Sequence, residues 1–181
     1  MENSSNNNKL YLLVASFRYE DTNDLVLCHC NAAETLEGTT KYLFDIFDDV
    51  LKLNQKALDE IDGNGAYHSI NDADYLDYLR KRNGFLLPYA TLRYKVKKNL
   101  PLKMSDFSDI TIFAVGAERG LCLYLNVHEL DSYQRAFDIV EVTIDMLGYW
   151  DEYFPKLKET NNTNELFTLL YEACQRYNNA H

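Results

Sequence analysis

Hydrophobic positions along this chain follow two periods. Leu10 to Arg18 (LYLLVASFR) is apolar on both alternating faces, which predicts a strand buried within a sheet. The polar turn Glu20-Asp21-Thr22-Asn23-Asp24 and a second apolar run, Leu25 to Cys30, complete an N-terminal hairpin. Asn31 with Glu34 three residues on resembles a capping box. The helix it opens is expected to reach about Ile61 with a break near Gly38, since Leu43, Phe47, Val50, Asn54, Ala57 and Ile61 recur at helical spacing and all but Asn54 are apolar. Gly63-Asn64-Gly65 ends it.

A second helix is capped by Asn71, with Asp72 and Asp74 in its first turn, Arg80, Lys81 and Arg82 in its last, and Gly84 beyond. Phe85 to Lys97 (FLLPYATLRYKVK) then alternates. Ala90, Leu92, Tyr94 and Val96 point one way and Thr91, Arg93, Lys95 and Lys97 the other, so a strand with one basic face is predicted. Pro88 places it at a sheet edge or a strand start.

Ile110 to Val115 and Leu121 to Val127 form another hairpin across Gly116 to Gly120. Leu121, Leu123, Leu125 and Val127 share one face of its second strand; Cys122, Tyr124, Asn126 and His128 share the other. A helix starts near Asp131 with Leu130, Tyr133, Phe137, Val140, Ile144 and Leu147 as its apolar stripe. The chain turns from Gly148 through Pro155, and Glu165 to Tyr177 is a final amphipathic helix after the linker Asn161 to Asn164.

The order is therefore ββ-α-α-βββ-α-α. It predicts an α+β fold, with a mainly antiparallel sheet of about five strands and helices packed on one face. Residues 1–9 read as a disordered leader, 10–160 as one domain, and 161–181 as a C-terminal helix docked on it.

Composition adds a constraint on partners. The chain has 181 residues and a net charge of −10, which argues against general affinity for nucleic acid or an anionic membrane. No secretory signal or membrane span is evident, so a cytoplasmic protein with reduced thiols is expected. The charge is unevenly distributed. Arg80 to Lys103 holds 8 of the 18 basic residues and no acidic one, a segment of +8 within a remainder of −18.

Candidate chemistry is sparse. Cys28-His29-Cys30 places two thiols on one strand face, with Cys122 and His128 as conceivable further zinc ligands, but the tight-turn spacing of structural zinc sites is absent. A thiol nucleophile paired with His29, His68 or His128 has no local motif behind it. Phosphate-binding motifs are missing. No cofactor is expected, and the balance points away from an enzyme. Two binding readings remain. In the first, acidic helix rows, Asp45, Asp48 and Asp49 with Asp138, Glu141 and Asp145, face another protein with a basic surface, such as a nucleic-acid-handling enzyme. In the second, Arg80, Lys81, Arg82, Arg93, Lys95 and Lys97 bind nucleic acid directly. Complementary acidic and basic patches also permit homo-oligomers.

Overall fold

The computed structural model describes residues 9–19, 21–46, 86–107, 110–114 and 121–181. The expected helix over 71–82, the end of the preceding helix, the Gly116 to Gly120 turn, His68, Asp48, Asp49, Arg80, Lys81 and Arg82 lie outside the described residues.

The fold is α+β, and its sheet is antiparallel. Strands β1 (Leu10–Tyr19), β2 (Leu25–Ala33), β3 (Ile110–Ala114) and β4 (Leu121–Leu130) are ordered β2-β1-β4-β3. The strands of both expected hairpins pair, β1 with β2 and β3 with β4. They join side by side through β1 and β4, which pair without interruption from Leu10↔Leu130 to Tyr19↔Leu121. A bulge at Phe17/Arg18 ends the regular register with β2.

The unbroken apolar run of β1 is explained by helices on both sheet faces. This corrects the expectation of helices on one face only. Leu13 and Ala15, with Leu123 and Leu125 of β4, pack against Leu36 and Leu43 of helix α1 (residues 36–46), Leu92 of α2 (Leu86–Lys97) and Phe107 of a short 3₁₀ turn. Leu12, Val14 and Cys28 on the reverse face pack against α3 (Tyr133–Met146), α4 (Trp150–Lys158) and α5 (Thr163–Ala180). Val140, Ile144, Tyr153, Leu166 and Leu170 fill this second core and are fully buried.

The segment read as a third strand is the helix α2, so the expected βββ run is absent at that point. Leu92 and Val96 explain the ambiguity. Their spacing of four fits one helix face as well as one strand face, and both meet the first core. Pro88 is the third residue of α2, where an amide has no intrahelical acceptor to lose. Asn99, at φ 52°, closes the helix, with the Asn99 amide bonded to Val96 O and the Leu100 amide to Lys95 O.

Local chemistry sets the other boundaries. β2 continues to Ala33, so the cap expected at Asn31 belongs instead to Thr35, whose Oγ1 accepts the Gly38 amide at 3.0 Å. Gly38 does not break α1. A Cβ there would stand 3.0 Å from that of Ala33, so glycine lets the first turn close onto the end of β2. Ser132 caps α3, and Gly148 at φ 80° ends it, with the Tyr149 amide reaching Ile144 O. The expected turn through Trp150 and Pro155 is the short helix α4. Asn162 caps α5 by accepting the Glu165 amide at 3.0 Å. No described helix is long and apolar enough to cross a membrane.

Candidate functional site

α3 buries Ala136, Val140, Thr143 and Ile144 and turns the rest of its circumference outward. At about 3.6 residues per turn, Glu141, Asp145 and Asp138 fall side by side on the outer face. Val142 and Met146 follow next around the helix. Val142 is 68% exposed and Met146 37%, and as neighbours on one helix flank they make a small apolar patch. On the other flank, Trp150 is also 37% exposed, and its indole N–H points to Glu141 Oε1 at 3.5 Å. A carboxylate ridge thus runs between two apolar patches.

Beyond Val142 and Met146 lies a groove of about 400 Å³ between α3 and the sheet, floored by Ser16, Tyr124, Asn126 and His128. Arg18 stands at one end, donating to Asn23 O and contacting the Met146 sulfur at 2.8 Å. Burial, aided by the Arg135 charge, holds His128 below the usual imidazole range. A neutral imidazole therefore lines the floor near neutral pH.

The expected acidic residues do not form one surface. Asp45 is exposed on α1, in the helical layer opposite that of Asp138, Glu141 and Asp145. Only the α3 trio is brought together among the described residues.

The basic strand face is replaced by a helix. Arg93 stacks over the Phe44 ring, 5.2 Å from its centroid. Lys95 turns away to Asp106, with Nζ 2.6 Å from Oδ1. Burial favours the neutral form of Asp106, yet the hydrogen bonds from Lys95 and the Lys103 amide outweigh it and hold the carboxyl below its ordinary range. Lys97 is exposed. Arg93, Lys95 and Lys97 therefore do not share the continuous ribbon that the alternating pattern predicted.

The cysteines do not come together as the conceivable zinc ligands Cys28, Cys30, Cys122 and His128 would have to. Cys28 and Cys30 share a sheet face with Cys122 and His128, but β1 intervenes between the strands that carry them. Two strand spacings amount to about 10 Å, beyond the reach of one tetrahedral zinc. Among the described residues, no group of three or more His, Cys, Asp or Glu side chains is arranged to hold a metal ion. His29 points to the opposite face, edge-on to Phe17, so it does not pair with the thiols of its neighbours.

Cys174 of α5 meets Cys28 instead, Sγ to Sγ 3.9 Å, on the strand face that also carries Cys30. Asn178, one turn further on, accepts the Cys28 amide at 2.9 Å and donates to its carbonyl at 3.0 Å. Cys30 and Cys174 open onto a cavity of about 760 Å³ whose wall includes Tyr42, Tyr171 and Gln175.

Comparison with protein-family models, curated proteins and solved structures finds no match to this chain.

The functional reading therefore rests on these surfaces. Two features escaped the sequence pattern. Val142 and Met146 carried a signal, as apolar residues on the polar flank of α3. Cys174 carried none, since nothing local ties it to a strand 146 positions earlier.

Proposed function

We propose that this is a protein-binding protein of inhibitor, immunity or adaptor type, acting through the outer face of α3 rather than by catalysis. The observation that carries the reading is the carboxylate ridge of Asp138, Glu141 and Asp145 beside exposed Val142 and Met146 at the lip of a groove. Stable interfaces combine a desolvated apolar centre with a charged rim, and Trp and Met are enriched in them. The matching partner presents lysine or arginine around an apolar side chain able to enter the groove. Basic surfaces of this kind occur on proteins that handle nucleic acid. The net charge of −10 favours encounter with them, because it steers cationic partners toward the chain.

A photo-crosslinking residue at Val142 identifies the partner, and calorimetry then measures its affinity for variants of the full chain. Combined Asp138→Lys, Glu141→Lys and Asp145→Lys should weaken binding tenfold or more and flatten its salt dependence. Asp45→Lys, on the opposite layer, should leave affinity unchanged. Equal affinities for the α3 triple variant and the wild type would sink the proposal.

A further inference from the structure

Cys28, Cys30 and Cys174 form a thiol cluster that protein binding through α3 does not use. Their accessibilities differ. Cys28 is 0% exposed and Cys174 3%. Cys30 is only partly buried and lies on the wall of the 760 Å³ cavity, together with Cys174. The cluster joins two elements: Cys28 and Cys30 alternate on β2, and Cys174 approaches from α5.

The hydrogen bonds divide the chemistry. Cys174 donates toward Cys28, and this, with the neighbouring Cys30 and burial, pushes its own pKa upward. The neighbouring Cys174 thiol lowers the pKa of Cys30, outweighing the opposing effect of burial. Cys30 is thus the one thiol of the cluster that is not fully buried, and it faces the cavity beside Cys174. Reactive cysteines share these traits and commonly sit beside a second thiol that resolves the oxidised product.

We infer that Cys30 is a hydroperoxide-reactive cysteine resolved by Cys174, so that oxidation closes a disulfide between β2 and α5. The Cys30 thiolate attacks one peroxide oxygen. An S–O bond forms, the O–O bond breaks, and the departing hydroxide takes a proton to become water. Cys174 sulfur then attacks the sulfenic sulfur, and the S–O bond breaks. The leaving hydroxide departs as water with the Cys174 proton. Overall, two thiols lose two electrons, and one hydrogen peroxide is reduced to two waters.

The test treats the full chain with hydrogen peroxide and follows it by non-reducing mass spectrometry and peptide mapping. The wild type should lose two hydrogen masses within one chain and yield a cross-linked peptide pair containing Cys30 and Cys174. Cys30→Ser should slow disulfide formation at least tenfold, and Cys122→Ser should not change it. In Cys174→Ser, a sulfenic acid on Cys30 should accumulate and be trapped by dimedone. Thiol loss in the wild type without an intramolecular link overturns the assignment, and that readout needs no variant to fold. So does a Cys28–Cys174 link formed at the wild-type rate in Cys30→Ser, or no dimedone adduct on Cys30 in a folded Cys174→Ser.

Discussion

Replacing Asn178 with alanine is the most direct probe of how α5 is fastened to the sheet. Cys28 stands opposite Ser16 of β1, but its own amide and carbonyl turn outward, where the Asn178 carboxamide takes both, at 2.9 and 3.0 Å. The side chain thus stands in for a neighbouring strand at one position of the β2 edge. Because Cys28 is 0% exposed, Asn178→Ala strands a buried donor and a buried acceptor together. Each such group costs about 1–3 kcal/mol when left unpaired, and incomplete additivity within the pair leaves about 2–4 kcal/mol. For a chain of 181 residues this lowers the melting temperature by roughly 4–16 °C. Urea denaturation followed by circular dichroism measures the free energy, and amide exchange at Cys28 locates it. Asn178→Asp keeps the acceptor but aims a carboxylate oxygen at the Cys28 carbonyl, so it should recover none of the loss. A change below about 0.5 kcal/mol for Asn178→Ala, with Cys28 exchange unaltered, would refute the strand-mimic argument.

Two further outcomes follow from buried charge. Burial depresses the folded-state pKa of His29 and His128, so the unfolded chain binds more protons below the ordinary imidazole pKa of about 6.5. Their contribution is fully present above that pH and is lost as pH falls toward the folded values; urea midpoints should drop over this range, less steeply in His128→Gln. Asp106→Asn removes the charged acceptor of Lys95 Nζ and the Lys103 amide. It should cost about 1–3 kcal/mol at neutral pH. That cost should shrink in acid, because the wild-type carboxylate loses its advantage as pH falls through its lowered pKa.

The fold was legible where burial and period agree. β1 and the β3–β4 hairpin follow from apolar runs of strand length between turn signals. The stripe of α3 follows from Val140, Ile144 and Leu147, all buried. Legibility failed where one pattern satisfied two periods, as at Leu92 and Val96 in α2. It failed at Asn31, where the capping signal was present but the β2–β1 ladder carried the strand past it to Ala33. The one-face layering was a misreading of β1 itself, whose two apolar faces already required two covers. At the candidate site, the α3 carboxylates could be placed on one flank from sequence. Their separation from Asp45 could not, because it depends on which side of the sheet each helix crosses.

The pairing of β1 with β4 also has a consequence for biosynthesis. The sheet joins residues 10–19 to 121–130, so contacts of high sequence separation must close before the two hairpins become one layer, and such topologies fold slowly. On the ribosome, the β1–β2 hairpin emerges long before β4, and Cys28 waits a further 146 residues for Cys174. At about 5–20 residues per second that interval is roughly 7–30 s. During it, Cys28 and Cys30 have neither their thiol partner nor the Asn178 clasp. The nascent chain thus passes through a window in which its two N-terminal cysteines are open to chemistry that the finished protein restricts to Cys30.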